Sequence, residues 1–356
     1  MSAIKTVRLT VDVGDLNGAG SRRALAEAAA ILRGGGTVAF PTETVYGLGA
    51  NALDGEAVQK IFVAKERPGW DPVIVHVAEW ALVDRVAVGI PRSAVRLMEA
   101  FWPGPLTLLL PKSEAVPEVV TAGLERVGVR MPAHPVADAL LREAGVPVAA
   151  PSANRFGRTS ATTAAHVAED LEGRIDAILD GGGTTHGVES TVVDVRADGC
   201  VVYRPGVITL EEIQAVCEGR AWLREKAIDE QHPEAAPAPG MGLRHYAPRA
   251  RLILIEGAGA GQMAGLRDTL ARYEAEGEVV GVLLPDAFAA AVVGHEKAHP
   301  FHWGRWDHPE ELAQHLYAGL RWLDAAGATV ILCPVPEAAG IGVAVRDRLA
   351  RAAGRG

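Results

Sequence analysis

Between Arg220 and Ala250 the hydrophobic periodicity of the chain fades, and "DEQHPEAAPAPGMGLRHYAPRA" is dense in Pro, Ala and Gly. A run of this kind offers no continuous apolar face, so the chain on either side has to close its own core. This predicts a first domain over 1–220, a linker over 221–249 and a second domain over 250–356. The chain has 356 residues, 49% of them apolar, which is enough for two cores.

Before the linker, short apolar runs alternate with helical patterns. "TVAF" from Thr37, "VIVHV" from Val73, "LTLLL" from Leu106, "VGVRM" from Val127 and "VPVAA" from Val146 read as strands, as do "DAILD" from Asp176, "TVVDV" from Thr191 and "CVVYR" from Cys200. Asp198-Gly199 suits a hairpin turn between the last two. Hairpin neighbours among helices predict a mixed α/β sheet of α+β character rather than a purely parallel one. Asp54 is placed to cap a helix running to Lys65, a helix begins at Thr162 or Thr163, and Thr209 with Glu212 forms a capping box. After the linker, "RLILIEG", "EVVGVLLP" and "ATVILCPVP" alternate with three helical stretches, which predicts a smaller, Rossmann-like α/β domain.

The net charge of −9 argues against a general nucleic-acid binder, since such binders depend on Lys/Arg clusters. Cys200, Cys217 and Cys333 are far apart in sequence and form no C-x-x-C pair, which argues against a disulfide framework or a thiolate zinc site and fits a reducing cytosol. The N-terminus has no signal-peptide apolar core, and no apolar run approaches the ~18 residues of a membrane span. A cytoplasmic protein is expected.

Several segments carry more polar chemistry than a connection needs. "FPTETVYGLGANA" (Phe40 to Ala52) packs Thr42, Glu43, Thr44 and Tyr46 into an apparent strand-to-helix junction. "KERPGWDP" places Lys65, Arg67 and Asp71 at a helix end, where the cations either complement the helix dipole or form an anion clamp. "APSANRFGRTSATT" gathers Ser152, Asn154, Arg155, Arg158, Thr159 and Ser160 in one donor-rich loop ahead of a helix, which suits phosphate. "DGGGTTHGVESTVVD" carries His186 and Glu189; with no third ligand nearby, a solvated loop pair is expected rather than a zinc site. His76 lies in an apolar strand, and Arg130 and Arg204 close strands. Together these point to a nucleotide or phosphorylated ligand. No G-x-S-x-G, no Cys–His pair and no P-loop is present.

In that order, "FPTETVYGLGANA", "KERPxxDPVIVHV", "FWPGPLTLLL", "VGVRMP", "PSAN" and "ESTVVD…YRPG" resemble the YrdC-like threonylcarbamoyl-adenylate synthases, and "PGMGLRHYAP" with the α/β tail resembles the long form of that family. The resemblance implies a twisted α/β sheet with a concave basic surface. It also implies that L-threonine, bicarbonate or CO2, and ATP with Mg2+ are condensed to threonylcarbamoyl-AMP and pyrophosphate. A partner transferase would then modify tRNA adenosine beside the anticodon, with weak or no direct tRNA binding by this chain. By motif, Lys65 and Arg67 would hold ATP phosphates and serve catalysis, with Asp71, Arg126, Ser152, Asn154, Ser160, Arg204 and Tyr246 also at the nucleotide. Thr44, Tyr46, His76, Arg130, Ala150 and Ser190 would surround threonine, with Arg130 on its carboxylate. No protein metal site is implied. The family motif carries Asn where this chain has Asp71, an acid that repels phosphate unless it binds Mg2+ or a base or ribose hydroxyl. Glu43 is left between pairing with a pocket arginine and holding Mg2+. Two rival expectations are an RNA-binding, translation-regulatory module and a ligand-sensing C-terminal domain suggested by "EGAGAG", which lacks the G-x-G-x-x-G spacing.

Overall fold

The structure is a computed structural model that describes residues 4–224 and 245–354. Most of the expected linker, residues 225–244, lies outside the described residues. The chain forms two compact units: Met1–Phe156, Ala161–Thr185 and Glu189–Met241 make one, and Gly157–Ser160, His186–Val188 and Gly242–Gly356 make the other.

The first unit is built on an eleven-stranded sheet. In chain order its strands are β1 (Val7–Thr10), β2 (Val38–Phe40), β3 (Gly47–Asn51), β4 (Ile74–His76), β5 (Leu106–Pro111), β6 (Arg126–Arg130), β7 (Val148–Ala149), β8 (Ala177–Asp180), β9 (Thr191–Val195), β10 (Cys200–Arg204) and β11 (Ala221–Leu223). They pair in the order β1-β8-β2-β3-β7-β4-β6-β5-β9-β10-β11. Parallel pairs (β4 with β6, β5 with β9) and antiparallel pairs (β5 with β6, β9 with β10) alternate, so the sheet is mixed as expected. The expected caps are present: Asp54 accepts from the Glu56 and Ala57 amides to start the helix Gly55–Lys65, Thr163 caps Ala164–Leu171, and Thr209 with Glu212 closes a capping box on Leu210–Val216.

The period-2 geometry of strands sorts side chains onto two faces. Val75, Leu106, Leu108, Leu110, Val127, Val129, Val193, Val195, Cys200 and Val202 enter one apolar cluster, where Leu97 and Met98 of the helix Arg92–Phe101 join them. The alternate positions carry His76, Thr107, Arg126, Arg130, Asp194 and Tyr203 on the opposite face.

Three local readings change. The segment "FPTETVYGLGANA" is not a plain strand-to-helix junction, because β3 lies inside it, antiparallel to β2 with Val38 opposite Gly49. Gly49 is there for packing: a Cβ would lie 2.8 Å from both Phe40 Cε1 and Val148 Cγ1. The strand β1 and the helix Ala19–Arg33 were also not foreseen.

The second unit holds β12 (Arg251–Ile255), β13 (Val280–Pro285), β14 (His299–Gly304) and β15 (Val330–Pro334) in the all-parallel order β12-β15-β13-β14. The Rossmann-like α/β character is as expected. The extra strand is β14, whose "HPFHWG" places Pro and two His where a strand pattern wants branched apolar residues.

In the first unit, the "YRPG" motif supports the chain that precedes β9. A Cβ on Gly206 would sit 2.3 Å from the Thr191 amide nitrogen and 2.6 Å from the Ser190 carbonyl carbon. Gly206→Ala is therefore expected to lower the unfolding free energy by about 1–3 kcal/mol in urea titration. An unchanged midpoint would contradict this close approach.

Candidate functional site

The strand register lines up a transverse row on the polar face. His76 is the direct partner of Arg130 across β4 and β6, and Thr107 on β5 is opposite Val192 on β9. Thr107 Oγ1 lies 2.8 Å from Ser190 Oγ, and Arg204 donates to the Ser190 carbonyl (3.0 and 3.1 Å) and to its hydroxyl (3.2 Å). Four strands and the residue just before β9 thus contribute one row: His76 (β4), Arg130 (β6), Thr107 (β5), Ser190 and Arg204 (β10).

Arg130 is held from three sides. Its Nε donates to the Gly104 carbonyl (3.2 Å), one terminal nitrogen donates to Thr44 Oγ1 (2.9 Å), and the other lies 2.7 Å from the Glu43 carboxylate. Arg130 and Glu43 are 3% and 4% exposed, so this ion pair is shielded from water. Burial pushes the Glu43 carboxyl up, but the charge and hydrogen bonding of Arg130 outweigh it and hold the group below the ordinary range. This answers what Glu43 is for: it pairs with the arginine. Thr42 Oγ1 contacts Thr44 Oγ1 at 2.8 Å and fixes the other side of that hydroxyl. Two N–H groups of the guanidinium fork remain beyond these contacts.

His76 is buried, and its Nδ1 has no hydrogen-bond partner among the described residues. Burial, then the nearby Arg130 charge, pushes its pKa down to about 3, so the ring is neutral. Ala150 reaches the same strand, donating its amide to the Ile74 carbonyl (2.8 Å). Tyr46 is spent differently: its ring packs with Leu48, Ile61 and Ala153, and its hydroxyl donates to the Gly182 carbonyl (2.6 Å).

The loop after β7 joins this row to the cations of "KERPGWDP". Lys65 ends its helix fully buried and donates Nζ to the Ser152 carbonyl (2.6 Å) and the Asn154 carbonyl. Burial, and then the Arg67 charge, push its pKa well down. Asn154 is buried and donates its side-chain amide to the Arg155 carbonyl. Arg67 donates to the Asp71 and Pro72 carbonyls (3.0 and 2.7 Å), and its guanidinium lies 2.9 Å from the Asp71 carboxylate. Asp71 is thus the buried counter-ion of Arg67. Arg126 lies 2.9 Å from Asp194 and is partly exposed.

Ser160 and Tyr246 belong to the second unit. There the Ser160 carbonyl accepts from Arg321 (3.4 Å), while Tyr246 stacks on Tyr317 and lies under the Arg348 guanidinium, 5.2 Å from ring centre to Cζ. Glu189 is 6% exposed, which corrects the expected solvated pair of His186 and Glu189. No group of three or more His, Cys, Asp or Glu is placed for a metal ion among the described residues.

Thr107 and Asp194 were missed from sequence, although Thr107 is the lone polar residue of the apolar strand "LTLLL" and Asp194 is the lone charged residue of "TVVDV". Thr42 was noticed as a hydroxyl but given no task.

A family model described as "Telomere recombination" (Sua5_yciO_yrdC) matches residues 30–206, and one described as "Threonylcarbamoyl-AMP synthase, C-terminal domain" (Sua5_C) matches residues 208–354. The threonylcarbamoyl-AMP synthase of Pyrococcus abyssi is 46% identical over 327 residues, 92% of this chain and 93% of that protein. The Bacillus subtilis threonylcarbamoyl-AMP synthase is 44% identical over 352 residues, 99% of each. Among solved structures, P. abyssi Sua5 complexed with L-threonine is similar with a TM-score of 0.88 and 43% identity, covering 98% of both chains. By identity across nearly its whole length and by fold, this chain belongs to the threonylcarbamoyl-AMP synthase family.

Proposed function

We propose that the polar face of the large sheet joins L-threonine, bicarbonate and ATP into threonylcarbamoyl-AMP, releasing pyrophosphate. The observation that carries this reading is the buried Arg130, already fixed by Glu43, Thr44 and Gly104 and lying beside a neutral His76. A guanidinium so oriented, with two N–H groups still to place, suits a small carboxylate. A neutral imidazole lends a hydrogen bond to the threonine hydroxyl without adding charge. Ser190, Ala150 and Thr44 complete the amino-acid pocket.

The reaction needs no protein nucleophile. Bicarbonate takes up a proton and loses water to give CO2. The free amine of threonine adds to CO2 and releases a proton to give a carbamate, and a carbamate oxygen attacks the α-phosphorus and expels pyrophosphate. The protein's contribution is alignment and charge compensation. Lys65 and Arg67 face the phosphates, with Ser152 and Asn154 in the loop that Lys65 holds; Arg126 and Arg204 serve the nucleotide from the sheet. Asp71 acts through Arg67, keeping its fork in place. Holding reactants in attack geometry can lower a barrier by roughly 7–11 kcal/mol.

A protein-built Mg2+ cage does not fit these residues, because Glu43 and Asp71 are each committed to an arginine. Mg2+ is proposed to arrive on ATP, where it neutralises phosphate charge. The product is proposed to pass to a separate transferase acting on tRNA, consistent with the acidic net charge of this chain.

Incubation with ATP, Mg2+, L-threonine and labelled bicarbonate should release pyrophosphate and form a labelled adenylate that requires both threonine and bicarbonate. Product formed without either one would contradict the reading. Arg67→Ala should cut turnover at saturating ATP about 100-fold, and wild-type turnover would remove the clamp role. The buried neutral ring of His76 also sets a pH dependence of stability. Unfolded imidazole takes up a proton near pH 6.5 and the folded one only near 3, so this contribution is full above pH 6.5 and is lost as pH falls through that window. From His76 alone, the unfolding free energy should be about 2 kcal/mol lower at pH 5 than at pH 7.5. His76→Asn should flatten the dependence; an equal slope in both proteins would show that the ring titrates normally.

A further inference from the structure

Cys200 and Cys217 are sixteen residues apart in the intervening chain, yet their sulfurs lie 2.8 Å from each other in the core. Cys200 opens β10 and points into the apolar cluster; Cys217 is the C-cap of the helix Leu210–Val216 and joins the same cluster. Backbone hydrogen bonds fix both ends of the contact. The Cys200 amide donates to the Arg220 carbonyl (2.8 Å), the Arg220 amide donates to the Cys217 carbonyl (3.1 Å), and the Cys217 amide donates to the Ile213 carbonyl (2.8 Å). Two unbonded sulfurs do not pack this closely at ease, and a disulfide of about 2.05 Å needs an approach of under about 1 Å.

We propose that Cys200 and Cys217 form an intramolecular oxidation site, at which a two-electron thiol oxidant such as a peroxide closes a disulfide between β10 and the end of the following helix. With hydrogen peroxide, one sulfur, as its thiolate, attacks a peroxide oxygen and releases hydroxide, leaving a sulfenic acid. The second thiol displaces that hydroxyl as water, and the S–S bond forms. Two thiols and one peroxide give one disulfide and two waters. Burial, then the Cys217 thiol, push the Cys200 thiol up to about 12, so the reaction is slow at neutral pH; the Arg220 and Arg96 charges favour the transient thiolate. The product would tie down the back of the strand whose other face carries Tyr203. It would act mainly by constraining the unfolded chain. Cys333 lies buried in β15, in the other unit, and serves as an internal control.

The test uses the full-length protein, reduced, desalted and divided. One half is treated with hydrogen peroxide at pH 8. Thiols titrated under denaturing conditions should fall from three to one, and non-reducing peptide mapping should give a Cys200–Cys217 cross-linked peptide two hydrogens lighter than the separate peptides. The melting temperature should rise by roughly 5–10 °C and return on reduction. Cys333→Ser should keep this redox-dependent shift and Cys217→Ser should lose it. Three remaining thiols under conditions that oxidise a dithiol peptide would overturn the proposal. So would an intermolecular cross-link, or oxidation of Cys200 to a sulfinic acid without a cross-link. The wild-type thiol count decides the matter even if a variant fails to fold.

Discussion

The buried ion pair of Glu43 and Arg130 is the constraint around which the polar face of the large sheet is arranged. Removing two charges from water is costly unless geometry and further hydrogen bonds compensate. Here Gly104 and Thr44 supply those bonds, and Thr42 fixes Thr44 in turn. The crowding of hydroxyls between β2 and β3 follows from that need. The chain leaves the sheet there to bring a carboxylate and two hydroxyls to an arginine on β6.

The same device recurs along the face. Arg67 has Asp71, and Arg126 has Asp194. These three guanidinium groups are each delivered with a carboxylate that orients them, while Lys65 and Arg204 are oriented by carbonyls and the Ser190 hydroxyl. A ligand anion then meets guanidinium groups whose directions are already set, which is the condition under which electrostatic contacts assist a reaction without reorganising. The acid at position 71, expected to repel phosphate, is instead the buried counter-ion of Arg67.

Much of this was legible in the sequence, and the losses have physical causes. Strands with β-branched residues and sharp borders, such as "TVVDV" and "CVVYR", were read correctly, as were the helices with side-chain caps at Asp54, Thr163 and Thr209. The strand β3 was missed because "GLGAN" carries two glycines, which disfavour strands in isolation; Phe40 and Val148 crowding Gly49 is a tertiary effect that no local pattern contains. The helix Ala19–Arg33 begins after Gly18 with no side-chain cap bond. At the site, the motifs named Arg130 and offered Glu43 as the partner of some pocket arginine, but not which one, since the pairing of Glu43 with Arg130 joins positions 87 apart in the chain. Likewise, Cys200 and Cys217 show no motif spacing, and only the packing of a helix end against a strand brings them together. With family membership shown by identity over nearly the whole chain, the rival reading as an RNA-binding module loses its footing.

The central claim is that Arg130, oriented before any nucleotide binds, builds the amino-acid pocket. Calorimetric titration of L-threonine into the ATP-free protein tests it most directly, with Arg130→Lys as the comparison and its melting temperature as a check on folding. The account predicts saturable one-to-one binding that weakens at least about tenfold in the lysine variant, because a point charge cannot reproduce the planar fork. Equal affinity in the two folded proteins, or threonine binding that appears only after ATP is added, would contradict it.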